Sequence, residues 1–388
     1  MKDANVTDFA ELRRIKKKRR NMQKFLGFMA ILVIALGLYV SRERWVPNVN
    51  SKNTLFSDNE ISGGNFPLSI TNGINYQTCR FGDDFVLLSD TRFYIYSITG
   101  ELLETRQHTY SNTVLKHSST KALVYEQGGS NFKVEGKRKT VYEKKIENSI
   151  CMAAISEKGY VAVVSSSDQY VCELTVYDAK GTEIYFRGCV ERIMDVAFNK
   201  DSTGCSIITI NANEGQMVSK ATSLEFESNE DKWQTDELAT CCISAYTTDD
   251  GGLFVFGDTQ CAYYNNKGEC KQGYIYGSTL IDAMFVEDKA AMIFESEERR
   301  KTSLVMISSH NSDPVEITID KNVKCIFAEK DEVYIMTENA IEAYSYSGKL
   351  IKSKEISENY REFYKIDNYM LLLGYNKIDM MEFEIKSR

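Results

Sequence analysis

The sequence is poor in the residues from which catalytic and metal sites are most often built. Its 388 residues include three histidines, three prolines and two tryptophans. No HExxH, GxSxG, Walker loop or CxxC occurs, and His108, His117 and His310 form no pair at a metal-ligand spacing. The sequence therefore predicts no catalytic residue, no cofactor and no metal site.

One long apolar run stands near the amino terminus. Phe25–Val40 carries no charge, amide or proline. A helix of that length covers roughly 24 Å, and Lys24 and Arg42 can snorkel to the headgroups of a bilayer about 30 Å thick. We interpret residues 25–41 as a transmembrane helix rather than a cleaved signal peptide, because no small-x-small cleavage motif follows the run.

The flanks of this run predict its orientation. Residues 1–24 hold nine Lys or Arg against three acidic residues, with the basic run Arg14–Arg20 among them. Basic residues collect on the cytoplasmic side of a membrane, so we expect the amino terminus inside, where it binds anionic lipid and not nucleic acid. Residues 42–65 are polar and aperiodic, which predicts a flexible tether. Residues 66–388 are then an extracytoplasmic domain at the cell membrane.

Beyond the tether the chain repeats itself. Eight apolar, strand-like runs follow one another at intervals of 36 to 47 residues, and they begin at Phe85, Ala122, Tyr160, Cys205, Gly252, Ala290, Val333 and Tyr369. This interval is typical of a four-stranded propeller blade. In four of the repeats, a hairpin after the apolar run places an aromatic residue before a turn glycine. These glycines are Gly100, Gly181, Gly268 and Gly348.

The repeat predicts an all-β protein, a β-propeller of eight blades. The eighth repeat lacks a fourth strand, and Phe66–Thr71 is the natural candidate to complete it, because it leaves no sheet edge open. Seven blades with one overlong repeat is the alternative.

These repeats resemble the β-propeller superfamily in its quinoprotein-like and WD40-like forms. The whole layout resembles a family of uncharacterised, membrane-anchored propellers from Gram-positive bacteria. The WD dipeptide is absent, and Trp45 and Trp233 are the only tryptophans. This departs from the repeated tryptophans of quinone-binding propellers and argues against a quinone cofactor.

The ten cysteines all follow the apolar run. Most stand inside apolar strand-like segments, which predicts buried free thiols acting as small hydrophobic residues. Cys261 and Cys270 flank a turn, and one hairpin register would place them opposite each other in a disulfide.

Two charged segments interrupt the repeat and provide the candidate binding loops. Glu225–Glu237 is expected to join two blades, and Glu295–Lys301 to join the middle strands of one blade. Propeller geometry would place both loops on one face, directed away from the membrane. The candidate binding residues are Glu230, Asp231, Trp233, Glu297, Arg299 and Arg300.

The sequence favours a non-catalytic binding or scaffolding module of the cell envelope, with an envelope protein or glycan as partner. The alternative is an envelope enzyme of the propeller class, polysaccharide-acting or quinone-linked. Carboxylates or basic residues clustered in the central channel would favour the enzyme. Small and apolar residues around the axis would favour the scaffold.

Overall fold

The computed structural model describes residues 65–71, 75–228, 230–295, 301–308, 313–357 and 360–385. Within these ranges the chain forms 32 strands arranged in eight four-stranded antiparallel sheets. No helix in the same ranges is long and apolar enough to cross a bilayer. The predicted cytoplasmic segment, the transmembrane helix and the tether up to residue 64 lie outside the described residues.

Each sheet forms one blade, and its strands follow the chain from the axis outward. The strands of blades 1 to 4 are β2 (Tyr76–Phe81), β3 (Asp84–Ser89), β4 (Arg92–Ser97), β5 (Leu102–Gln107); β6 (Thr113–His117), β7 (Lys121–Glu126), β8 (Asn131–Gly136), β9 (Thr140–Lys145); β10 (Ile150–Ile155), β11 (Val161–Ser165), β12 (Cys172–Tyr177), β13 (Glu183–Cys189); β14 (Arg192–Phe198), β15 (Gly204–Asn213), β16 (Gln216–Glu225) and β17 (Asp231–Gln234). Those of blades 5 to 8 are β18 (Cys242–Thr247), β19 (Leu253–Gly257), β20 (Gln260–Tyr264), β21 (Cys270–Ile275); β22 (Leu280–Val286), β23 (Lys289–Glu295), β24 (Thr302–Ser308), β25 (Val315–Ile319); β26 (Val323–Ala328), β27 (Glu332–Thr337), β28 (Ala340–Ser345), β29 (Leu350–Glu355); β30 (Glu362–Ile366), β31 (Tyr369–Leu373), β32 (Lys377–Glu382) and β1 (Leu68–Ser69).

The eighth blade contains both ends of the described chain. β1 pairs with β32, with Leu68 opposite Ile378 and Ser69 opposite Lys377, and the inner strand β30 contacts β2 of blade 1. The prediction of eight blades closed by the segment that begins at Phe66 is confirmed, and the seven-bladed alternative is wrong.

The core lies between the blades. The second strand of a blade is covered on both faces by its neighbours, so β3, β11 and β19 are buried at every residue. Strands buried on both faces consist of continuous apolar runs, and these are the runs that revealed the repeat. Outer strands such as β9 and β29 are accessible on alternate residues instead.

The four predicted turn glycines share one geometry. Gly100, Gly181, Gly268 and Gly348 have φ of 85°, 85°, 79° and 81°. Each donates its backbone N–H to the carbonyl three residues earlier, at 2.9 to 3.0 Å. A left-handed φ favours glycine because it has no Cβ, so the prediction from the sequence is confirmed.

We expect Gly181→Ala to lower the free energy of unfolding by about 1–3 kcal/mol, the usual cost of a left-handed non-glycine residue. A Cβ at Gly181 would also lie 2.9 Å from the ring of Tyr142 in the preceding blade. Gly277→Ala is the matched control, because its φ is ordinary and nothing lies within 4 Å of its added Cβ. Urea unfolding of both variants measures the difference, and equal midpoints would contradict the turn argument.

The antiparallel order of the strands gives the propeller two distinct faces. The turn face carries the turns between first and second strands and between third and fourth strands of each blade. The junction face carries the other connections, including those from blade to blade. Residues 226–228 and Glu230 therefore lie on the turn face, because Asp231–Gln234 forms the outer strand of blade 4. Our expectation that Glu225–Glu237 joins two blades is wrong, since Asp231–Gln234 within it forms a strand of blade 4.

Candidate binding surface

Trp233, Asp231 and Glu230 lie at the outer edge of blade 4. Trp233 packs against the Gly268 turn of blade 5. Asp231 accepts hydrogen bonds from Arg187 of blade 3, with Arg187 Nη2 at 3.3 Å, and these bonds lower the pKa of the carboxyl. Glu230 is exposed on the turn face. Glu297, Arg299 and Arg300 lie outside the described residues.

Trp233 also lines a groove of about 620 Å³ on the turn face between blades 4 and 5. The charges around it are engaged with one another. Lys200 lies 2.9 Å from Asp249, and Lys232 lies 2.8 Å from Glu225. These two pairs engage four of the seven charged side chains that line the groove.

The junction face carries the most exposed apolar surface. Seven large apolar side chains that are at least two-fifths exposed lie there in blades 3 to 6, and we call them the junction patch: Tyr170, Val171, Val190, Met217, Ile243, Ile275 and Ile281. Val190 and Ile275 are 82% and 78% exposed. Exposed apolar residues that gather on one face mark interaction sites more often than residues scattered singly.

Two members of the patch come from bulges beside the axis. The pairing of β18 with β19 skips Ile243, and that of β22 with β23 skips Ile281. A bulge leaves its extra residue out of the ladder and redirects the side chain. The corresponding bulge in β10 exposes Cys151. The bulges in blades 3, 5 and 6 therefore expose a small or an apolar side chain beside the axis, whereas the inner strand of blade 4 exposes Arg192.

Two carboxylates on inner strands have structural partners. Asp195 Oδ2 accepts the backbone N–H of Ala245 in the next blade at 2.8 Å, and Asp282 Oδ2 accepts that of Ile326 at 3.4 Å. Burial raises the pKa of both carboxyl groups. Because each joins its blade to the following one, these residues connect blades.

The most strongly buried charges lie between blades 1 and 2. Glu135 is fully buried, and its two carboxylate oxygens lie 2.7 Å from Arg106 Nη1 and 2.8 Å from Lys133 Nζ. Thr140 Oγ1 donates a further hydrogen bond at 2.8 Å. We call Arg106, Lys133 and Glu135 the buried ionic triad. Its one carboxylate contacts a cation of blade 1 and a cation of its own strand, and the Arg106–Glu135 pair links the two blades.

The β15–β16 hairpin is the largest departure from the repeat. Both strands have ten residues and remain paired to the end, where Asn213 lies opposite Gln216. The turn residues Glu214 and Gly215 have φ of 49° and 82°. The hairpin therefore projects from the junction face beside a groove of about 530 Å³ that Met217 and Ile275 line. Sequence reasoning missed it, because its polar tip resembles a loop.

The cysteines in the described ranges are all free, and six of them are buried, in agreement with the prediction of small hydrophobic residues. The alternative register that would pair Cys261 with Cys270 does not occur. The hairpin register places Cys261 opposite Tyr274 and Cys270 opposite Tyr264. A different pair does face across a hairpin, since Cys172 of β12 lies opposite Cys189 of β13. The two cysteines lie at the end of the hairpin away from its turn, so no short sequence motif identifies the pair.

We expect Cys172 and Cys189 to form a disulfide when the protein is treated with oxidised glutathione. Directly opposite residues of antiparallel strands approach closely enough for a bridge. A hydrogen bond from Cys189 lowers the pKa of the Cys172 thiol, and the thiolate is the form that attacks a disulfide. The two thiols lose two electrons and two protons, and glutathione disulfide is reduced to two thiols.

Peptide mapping under non-reducing conditions measures this bridge, with Cys261 and Cys270 as the internal control that stays unlinked. Formation should slow as the pH falls through the pKa of Cys172. A linked Cys261–Cys270 peptide, or no Cys172–Cys189 peptide at pH 8, would contradict the register.

The two histidines that the structure describes belong to no group that could hold a metal ion. His108 is buried with its Nε2 3.0 Å from the carbonyl oxygen of Ser89, and His310 lies outside the described residues. Among the described residues, no three His, Cys, Asp or Glu side chains are grouped so that they could hold a metal ion.

Comparison with known proteins gives a family and a fold. Residues 66–383 match the model of DUF5711, a family of unknown function. None of the curated proteins matches the chain.

Among solved structures, BamB from Moraxella catarrhalis is similar, with a TM-score of 0.56 and 12% identity over 84% of this chain and 99% of that one. Sqt1 from Saccharomyces cerevisiae has a TM-score of 0.57 and 8% identity over 84% of this chain and all of that one. At these identities the similarity shows the β-propeller fold alone.

Proposed function

Since this chain belongs to the DUF5711 family, whose match coincides with the eight-bladed ring, we propose that the ring is a non-catalytic binding or scaffolding module of the cell envelope. A single transmembrane helix at residues 25–41 holds it at the membrane, and the basic residues 1–24 remain in the cytoplasm. We further propose that this protein belongs to a group of membrane-anchored propellers from Gram-positive bacteria.

The junction patch is the observation that carries this proposal. Val190 is 82% and Ile243 57% exposed, and both lie on the face that surrounds the axis. An aliphatic patch of this kind suits the surface of another protein better than a glycan, because sugars are usually held by polar groups and aromatic rings. We therefore propose a protein partner at the junction face.

The orientation of β1 supports display away from the membrane. β1 is antiparallel to β32, so the chain runs from the turn face toward the junction face as it passes through β1. We infer that a tether before residue 66 approaches from the turn-face side. The junction patch then faces outward, where an envelope protein reaches it.

Cross-linked co-purification from mild detergent tests the binding role. We expect the full chain to recover a specific partner and the variant Val190→Asp/Ile243→Asp to lose it. Leu103→Asp/Ile351→Asp is the matched control, because these residues are 45% and 41% exposed on outer strands. Equal recovery by all three proteins would contradict a role for the junction patch.

Protease treatment of intact cells tests the orientation. A carboxyl-terminal tag should be removed while the cells remain whole. Protection of the tag until the cells are broken would overturn the membrane-anchored, extracytoplasmic arrangement.

A further inference from the structure

The outer edge of the β15–β16 hairpin is incompletely covered. β17 pairs with β16 only between Thr222 and Leu224, and beyond it a single bridge joins Ser219 to Leu238. The chain then turns away, with Thr240 N–H bonded to the carbonyl of Leu238 at 2.7 Å. Gln216–Val218 therefore continues past the last strand that covers this edge.

The direction of the backbone groups follows from the bridge. Ser219 and Leu238 exchange both N–H···O bonds at 2.8 Å, so the polar groups of Ser219 point outward from the hairpin. Residues two apart in a strand direct their backbone groups to the same edge. The N–H and C=O of Met217 therefore point outward too, and Met217 lines the groove of about 530 Å³.

The inner edge of the same hairpin is closed by side chains. Asn211 Oδ1 accepts the N–H of Ala212 at 2.8 Å, and its Nδ2 donates to Glu191 at 3.2 Å. A strand edge closed in this way resists the addition of another chain. The outer edge at Met217 has no such side-chain cover among the described residues.

The groove also has a distinct chemistry. Met217 and Ile275 give it an apolar wall, and its lining contains Asp258 but no Lys or Arg. Glu237, exposed at the rim, accepts a hydrogen bond from Asn213 at the hairpin tip at 2.7 Å. Glu214 adds a third carboxylate in the hairpin turn. A segment with apolar residues on one side and basic residues on the other complements this groove.

We propose that the groove binds an extended, basic and apolar peptide segment of a partner protein, which adds a strand to the outer edge of β16 at Met217. Strand addition of this kind takes its affinity from backbone hydrogen bonds and its specificity from alternate side chains. The proposal rests on the binding role given above and assigns it a place and a partner chemistry.

The test uses a fluorescein-labelled peptide of four Lys-Val repeats and the full chain in detergent. We expect saturable binding by fluorescence polarisation, weakened at least tenfold by Met217→Lys. Leu350→Lys is the matched control, because Leu350 is 47% exposed against 48% for Met217 and lies on the outer strand of blade 7. The same peptide with alternate backbone amides N-methylated keeps its charges and loses the strand hydrogen bonds, and it should not bind.

Equal binding of the methylated peptide would show charge attraction alone and overturn strand addition. Loss of binding in both lysine variants, or no binding by the original protein, would overturn the site. The binding role is judged separately by the recovered envelope partner. If the Met217→Lys variant still captures the envelope partner, the groove at Met217 is not the binding site, although the binding role stands. If the peptide binds but no partner is recovered, the proposed binding role itself is weakened.

Discussion

Glu135→Leu should destabilise the propeller by about 3–5 kcal/mol, the cost of removing one partner from a buried ion pair. The substitution leaves Arg106 and Lys133 with side chains only 12% and 6% exposed and without the carboxylate that lies 2.7 and 2.8 Å from them. Two like charges then share a buried site between blades 1 and 2. The midpoint of urea unfolding, with the slope held constant, measures the loss.

Asp249→Asn is the control for this prediction, because the Lys200–Asp249 pair is 70% and 61% exposed. An exposed pair contributes at most about 1 kcal/mol. If Glu135→Leu unfolds at the same urea concentration as Asp249→Asn, the buried ionic triad does not hold the two blades together.

Leu68→Ala should cost about 2–5 kcal/mol, the range for a buried leucine replaced by alanine. Leu68 is fully buried in β1, where it packs in one cluster with residues of blades 8 and 1, among them Phe85 and Ile378. Loss of this side chain therefore weakens the packing between the first and last blades and not within one blade alone. Thermal unfolding and limited proteolysis measure the effect, and we expect the first cleavages in blade 8.

Leu103→Ala is the matched control, since Leu103 is 45% exposed on an outer strand and a surface substitution of this kind usually changes stability by less than about 0.5 kcal/mol. First cleavage in a middle blade, or equal stability of the two variants, would contradict a closing role for β1.

The fold follows from the sequence wherever burial imposes a regular pattern. Second strands such as Phe85–Leu88 must be apolar at every residue, because both faces are covered, and this made the repeat visible. The turn at Gly181 needs a left-handed residue, so glycine marks it. Because the last repeat lacks a fourth strand, the sequence also predicted that Phe66–Thr71 completes the eighth blade.

The binding surface follows from the sequence much less well. The strand Asp231–Gln234 has only four residues, three of them polar, so its charges resemble a loop and Trp233 resembles a binding residue. The tip at Glu214-Gly215 lacks the Asn-Gly or Asp-Gly pair that usually marks such a turn. The exposure of Ile243 depends on a bulge, and bulges are produced by pairing with a neighbour and leave no local signal.

The closing blade also sets an order of events during synthesis. Seven blades use only strands that are consecutive in the chain, and each can form soon after its residues leave the ribosome. The eighth needs Leu68 beside Ile378, so an early segment must wait until almost the whole domain has been made. Until then the flank of blade 1 around Phe85 is uncovered, and a nascent chain stalled before residue 360 would present that flank to chaperones.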